Sequence, residues 1–366
     1  MNVPFLNLAA QYESLKTELL PAVEKALAGA HYILGPNVGA FEQEMAAYLG
    51  VKFGVGVNSG SDALTLALRA LGIGPGDEVI TTPFTYIAPA EAIHLVGARV
   101  VFADIDPDTF QIDPADVARK ITARTKAIIP VHLFGQPAPL IELHELAREH
   151  RLSIVEDCAQ AIGSRHEGKL VGSIGALGCF SFYPTKNLGA AGDGGMVVTG
   201  DEALARQLRM LRVHGIERRY YHDLHGYNSR LDDLQAAVLR VKLQHLAGWN
   251  ERRAFIAERY TRALQGVPVQ PPKSGGGTHV YHVYAILTER RDELQKRLAD
   301  NGIATIIYYP EPLHLQKVYA DLGYQPGDFP VAESVSKRIL PLPMYPELSD
   351  EQVDYVAQKI REFFKA

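Results

Sequence analysis

Seven short apolar runs rich in β-branched residues, set apart by helical or turn-rich stretches, constrain this 366-residue chain more than any other feature. They fall at 53–57 (FGVGV), 78–82 (EVITT), 99–105 (RVVFADI), 126–132 (KAIIPVH), 152–156 (LSIVE), 178–183 (GCFSFY) and 194–199 (GGMVVT). Runs this short and this apolar bury as strands. Their alternation with helical segments through the first two thirds predicts an α/β fold: a seven-stranded, mostly parallel sheet with right-handed crossovers. Helical spacing at 61–71, starting at Ser61 or Asp62, and more weakly at 140–150, places helices on the sheet faces. A long helical pattern from Arg230 to Leu264 reads as a connecting helix. After the interruption at 271–277 (PPKSGGG), a strand at 279–287, a helix at 291–301, a strand at 303–308 and a terminal helix at 349–364 predict a small α+β domain. The chain therefore divides into a large domain, 1–245, and a small C-terminal domain, 246–366.

Charge and composition narrow the partners. Lysine and arginine total 37 against 42 acids, a net charge of −5 with no concentrated basic stretch, which disfavours nucleic acid and anionic membrane surfaces. No window holds the ~20 uninterrupted apolar residues of a membrane span, and the N-terminus has no charged leader before an apolar segment. A cytoplasmic location is the expectation. The two cysteines, Cys158 and Cys179, lie inside strand-like runs and read as small core residues. Thirteen histidines, His132 among them, show no metal-ligand spacing, so no metal site is expected.

The chemistry concentrates around the sixth run. Lys186 lies in GCFSFYPTKNLG (178–189), between an aromatic strand and the glycine-rich bend 189–195, and Asp157 ends the strand before it in IVEDCAQ. A lysine that could be enclosed, with a carboxylate at the carboxyl edge of a parallel sheet, offers an amine for an imine and an anion for a pyridine nitrogen. That pair is what pyridoxal 5'-phosphate requires. At about 4 Å and an effective dielectric near 20, the carboxylate–pyridinium attraction is of order 4 kcal/mol, enough to keep the ring nitrogen protonated. In NSGSDAL (58–64), Gly60 and Ser61 stand where a strand gives way to a helix, and free N–H groups there suit a phosphate; Ser181 could reach the same phosphate. Tyr86, just past a strand end, either packs in the core or stacks on the pyridine ring.

These stretches, with PFTYIA (83–88), VHLFGQ (131–136), GYNSRLDDLQAA (226–237) and YYPEPLHLQ (308–316), together resemble the DegT/StrS nucleotide-sugar aminotransferases of PLP fold type I over essentially the whole chain. The resemblance implies that Lys186 carries the cofactor and moves the proton, that Asp157 meets the ring nitrogen, and that Gln160 stands near the ring's phenolic oxygen. It implies Tyr86 on the ring, and Gly60, Ser61 and Ser181 on the phosphate. Asn228 matches the family asparagine that reaches the phosphate in the neighbouring subunit, so a homodimer with shared active sites is implied. Family members that dehydrate carry histidine at the position of Lys186, and the lysine argues for amino transfer. Ser61 departs mildly from the usual threonine. The YYPEPLHLQ segment is similar to enzymes that aminate C3 of dTDP-linked 3-keto-6-deoxyhexoses, with UDP-linked sugars and C4 amination as alternatives. His314, Tyr183, Tyr309 and Arg230 are the candidate sugar or diphosphate contacts. A ping-pong exchange follows, with L-glutamate as donor and pyridoxamine 5'-phosphate as the intermediate cofactor form. Two rivals are a PLP lyase or desulfurase, disfavoured because neither cysteine sits on a loop, and a non-catalytic regulatory protein of the same fold, disfavoured by the intact lysine, aspartate and phosphate cradle.

Overall fold

The computed structural model describes residues 1–218 and 220–365, and there the seven expected strands join one sheet. In chain order they are β1 (Phe53–Val57), β2 (Glu78–Thr81), β3 (Arg99–Phe102), β4 (Thr125–Ile128), β5 (Ser153–Asp157), β6 (Leu177–Ser181) and β7 (Gly195–Thr199). Across the sheet they run β1-β7-β6-β5-β4-β2-β3. Pairs from β6 through to β3 are parallel, and β7 is antiparallel to both neighbours. Because side chains alternate across a strand, successive residues feed different cores. Val79, Cys179 and Val197 join the cluster built with the helix Gly60–Ala70, whereas Ile80, Phe180 and Val198 face clusters on the opposite side. Both faces are covered, which is why these strands read as continuous apolar runs.

Beyond the sheet the structure departs from several sequence expectations. The helix after β1 begins at Gly60, capped by Ser59, whose Oγ accepts from the Asp62 N–H at 3.1 Å. The pattern from 230 to 264 is two helices, Asp233–Leu243 and Leu246–Ala263, because the Gln244 and His245 N–H groups bond to carbonyls three residues back and tighten the turn. The expected strand at 279–287 shortens to β8 (Tyr284–Leu287), since Val280 and Val283 donate to Gly135 and Phe134 instead. Its partner is β9 (Ile339–Leu342), antiparallel. The expected strand at 303–308 does not form: Ile303 makes one parallel bridge to Val3 and the rest is irregular. The sequence pattern also missed the N-terminal helices Leu8–Gly29 and Pro36–Leu49.

A second apolar cluster gathers Ile256, Tyr260, Tyr284, Leu298, Val353 and Ile360 with Val3. The division expected at 245/246 falls at the link between two helices, while Leu313, Phe329 and Val335 pack into the large cluster on the sheet. No described helix is long and apolar enough to cross a membrane.

One buried network fixes the strand end that carries Asp157. The His132 Nδ1 accepts from the Ala138 N–H at 2.9 Å, so the ring proton sits on Nε2 and is donated to Glu156 at 3.0 Å. Glu156 also accepts from the N–H groups of Gly172, Ile174 and Gly175 at 2.7, 2.8 and 2.6 Å. Burial pushes the Glu156 carboxyl up, but His132 and the backbone donors outweigh it and hold the carboxyl below its usual range. Replacing Glu156 by alanine strands four donors in a dry site, so Glu156→Ala should cost about 3–5 kcal/mol in equilibrium denaturation. A loss under about 1 kcal/mol, the worth of one ordinary hydrogen bond, would count against this role.

Candidate active site

Asp157 and Lys186 are brought to the same edge of the sheet by adjacent strands. Asp157 is the last residue of β5, 5% exposed. Lys186 follows β6 in a turn held by its own N–H donating to the Tyr183 carbonyl at 2.8 Å. Burial lowers the Lys186 amine to about 8, against the opposing pull of Asp157. The Asp157 carboxyl is raised, chiefly by burial, against the Ala159 N–H, Lys186 and His132. The two charges feel each other yet form no ion pair, and among the described residues the lysine amine has no hydrogen-bond partner. Asp157 Oδ1 accepts from Ala159 N–H at 3.0 Å, and among the described residues nothing donates to Oδ2. A desolvated amine and a desolvated carboxylate, each incompletely satisfied, leave room between them for a third group.

Three strand ends crowd the helix start at Gly60 into a narrow cradle. A Cβ on Gly60 would stand 2.5 Å from Ser181 Cβ, so the helix start and the end of β6 approach as closely as glycine allows. A Cβ on Gly195 would lie 2.2 Å from the Ser59 carbonyl oxygen, closing the other side. Ser61 sits in the first turn of the helix Gly60–Ala70, and Ser181 Oγ accepts from the Tyr183 N–H at 3.3 Å. Ser229 ties in the following segment: its Oγ accepts from Asn58 N–H at 3.2 Å and donates to Asp62 at 2.6 Å. This brings the neighbouring Asn228, exposed, and Arg230, half-buried, beside the cradle.

Gln160 holds the opposite wall. Its Oε1 accepts from the Phe134 N–H at 2.7 Å, so its amide nitrogen faces outward and donates to Tyr309 Oη at 3.2 Å. Burial raises the Tyr309 phenol above its ordinary value. Tyr86 and Tyr183 are 60% and 52% exposed, open to a ligand. His314 lies elsewhere. Its side chain is fully buried, its Nε2 bonds Glu333 at 3.1 Å and its ring packs edge-on against Phe329, so it does not present a nitrogen to the cleft.

His132, Glu156 and Cys158 cluster closely enough to suggest a cation site. Both ring nitrogens and both carboxylate oxygens there are already engaged, and burial pushes the Cys158 thiol well above its usual value. The cluster is packing, not chemistry. What sequence reasoning missed is Asn187 and His282: Asn187 stands next to Lys186, and its bonds to Val280, His282 and Asn250 join it to residues far along the chain.

The amine, the opposed carboxylate and the glycine-tight cradle fit pyridoxal 5'-phosphate. A methyl group at residue 60 would push the helix start off Ser181, so Gly60→Ala should weaken cofactor affinity by at least about tenfold, read by titrating cofactor absorbance into the cofactor-free protein. Unchanged affinity would disprove the cradle.

Residues 13–361 match the profile of the DegT/DnrJ/EryC1/StrS aminotransferase family. Among curated relatives, a "pleiotropic regulatory protein" of Geobacillus stearothermophilus is 51% identical, covering 100% of this chain and 99% of the relative. A UDP-N-acetyl-3-dehydro-alpha-D-glucosamine 3-aminotransferase of Acidithiobacillus ferrooxidans is 49% identical, with 98% and 97% covered. A dTDP-3-amino-3,4,6-trideoxy-alpha-D-glucose transaminase of Streptomyces venezuelae is 48% identical, with 99% and 96% covered. Of solved structures, S. venezuelae DesV in complex with a ketimine intermediate superimposes with a TM-score of 0.98 at 47% identity, covering 100% of this chain and 99% of that one. NtdA from Bacillus subtilis with bound cofactor PMP gives 0.94 at 30% identity, with 100% and 86% covered.

Proposed function

Because this chain belongs to the DegT/DnrJ/EryC1/StrS aminotransferase family, we propose that its active site moves an amino group from an amino acid to C3 of a dTDP-linked 3-keto-6-deoxyhexose. It is a nucleotide-sugar aminotransferase of the PLP fold type I. The observation that carries the assignment is the unpaired, desolvated Lys186 amine opposed to Asp157. The dTDP sugar and C3 rest on the Streptomyces venezuelae relative and on the YYPEPLHLQ segment; the Acidithiobacillus ferrooxidans relative keeps a UDP-linked 3-keto sugar as the second reading. The name of the Geobacillus stearothermophilus relative raises a regulatory role, but a protein that only senses has no need of a lysine held near neutrality.

Pyridoxal 5'-phosphate, when bound, supplies an aldehyde carbon that accepts the amino group and an electron-poor ring that stabilises the carbanion. The protein does the rest. Lys186 would hold the cofactor through its amine and, once freed by the donor, L-glutamate, would serve as the base and acid that moves the proton. Its lowered pKa keeps a substantial neutral fraction near pH 8. Asp157 would hold the ring nitrogen, its carboxylate favouring the protonated form. Gln160 would offer its amide nitrogen to the ring's phenolic oxygen, and Tyr86 would cover the ring. Gly60, Ser61 and Ser181 would take the phosphate at the helix N-terminus, and Asn228 would reach the phosphate of a second subunit in a homodimer. Tyr183, Tyr309 and Arg230 bound the side on which the sugar enters; Tyr309 is oriented for this by Gln160.

Lys186→Ala should abolish turnover, lowering it by more than about 1,000-fold, while circular dichroism and melting stay native. Comparable amination of keto sugars by that variant would overturn the mechanism. The pH dependence follows from the lowered amine. Below about 8 Lys186 is protonated and cannot add to an aldehyde, and above it the amine is free. The rate at which cofactor-free protein captures pyridoxal 5'-phosphate should therefore rise with pH and level off beyond about 8. A rate still climbing toward the ordinary lysine value would refute the burial of this amine.

A further inference from the structure

Beside Lys186 a chain of amide groups fixes the protonation of a histidine that the reaction described above does not use. The polarity of the chain is set by two backbone carbonyls, which only accept. Asn250 Nδ2 donates to the Ile162 carbonyl at 3.0 Å, so Asn250 Oδ1 is the end that faces Asn187. Asn187, 4% exposed, donates from its Nδ2 to that oxygen at 2.9 Å and to the Val280 carbonyl at 3.1 Å. Its Oδ1 must then accept, and the His282 Nδ1 at 3.1 Å must be the donor. Burial, with Lys186 and Arg253 nearby, holds the His282 pKa well below its usual value, so the ring is neutral. A neutral ring protonated at Nδ1 carries a bare lone pair on Nε2, and among the described residues nothing donates to it.

That ring lines a cavity of about 300 Å³ next to the catalytic lysine. Thr185, His282 and Tyr308 supply its polar groups and Phe5, Leu6 and Ile306 its apolar ones; Phe5 and Tyr308 meet edge-to-face at 5.9 Å. No charged side chain lines it, so neither a diphosphate nor a carboxylate would find a counterion there. A neutral group with apolar C–H faces and a hydroxyl donor matches the lining, and a deoxyhexose ring is such a group. We propose that His282 is a specificity-determining residue whose Nε2 accepts a hydrogen bond from a hydroxyl of the bound sugar, an inference that rests on the nucleotide-sugar substrate assigned above. Asn187 is the positioning residue that keeps the acceptor turned toward the cavity.

The holoenzyme in its pyridoxamine form tests this, using a dTDP- or UDP-linked 3-keto-6-deoxyglucose, whichever the native protein converts faster, with the bare nucleoside diphosphate as control. His282→Phe should raise the KM for the keto sugar by about 10- to 100-fold, while binding of the bare nucleotide and the glutamate half-reaction move by less than about threefold. His282→Gln, whose amide offers a donor to Asn187 and an acceptor to the cavity, should recover most of the loss. An unchanged KM in His282→Phe would overturn the inference, as would equal losses in nucleotide binding and in the glutamate half-reaction, which mark a purely structural role. Failure of His282→Gln to recover more than His282→Phe would also overturn it. If the native protein converts neither sugar, the substrate assignment itself fails and this inference with it, so the two failures are distinguishable.

Discussion

The site depends on a conflict between burial and charge. Removing Lys186 and Asp157 from water penalises the charged form of each, which lowers the amine and raises the carboxyl, and they do not resolve the conflict by pairing with one another. A direct ion pair would satisfy both and leave a quiescent core. Held apart, the amine and the carboxyl each keep an open side, and the cost is borne by the packing around them. The network of His132 and Glu156 is part of that packing: it anchors the residue preceding Asp157 on one face of β5 so that Asp157 can remain underused on the other.

The sheet turns this local conflict into a site. Parallel strands deliver their carboxyl ends to one edge, and a sheet with helices on both faces places loops and helix N-termini there together. β1 contributes the helix start at Gly60, β5 contributes Asp157, and β6 contributes Ser181 and, one turn later, Lys186. The antiparallel β7 returns Gly195 against Ser59, so the cradle at Gly60 is squeezed from both sides. Geometry so tight leaves little for side chains to adjust.

How much of this was legible beforehand follows from how local each signal is. The seven strands were readable because both faces of the sheet are covered and most of their residues are apolar, and Lys186 and Asp157 were readable because one ends a strand and the other follows a strand by a turn. The first helix, Leu8–Gly29, was not: Leu8, Tyr12, Leu20 and Leu27 are exposed, so its apolar residues do not form one inward stripe. β9 contains Pro341, which argues against a strand in sequence but is tolerated in this two-stranded ladder. His282 was read only as part of a strand, because its significance depends on Asn187, 95 residues earlier. His314 shows the reverse failure: it belongs to a run whose Tyr309 borders the cleft, yet the short helical turn Leu313–Leu315 directs it toward Glu333.

Val3 has a consequence for how the molecule comes into being. It is fully buried in the C-terminal cluster, and its backbone exchanges hydrogen bonds with Gly302 and Ala304. Val3 thus has its resting place against residues translated long after it. At typical ribosomal speeds of about 5–20 residues per second, it waits on the order of 15–60 seconds for them to emerge. Until Gly302 and Ala304 exist, the backbone groups of Val3 lack the partners they hold in the fold, whereas the strands of the large sheet are already complete at Thr199.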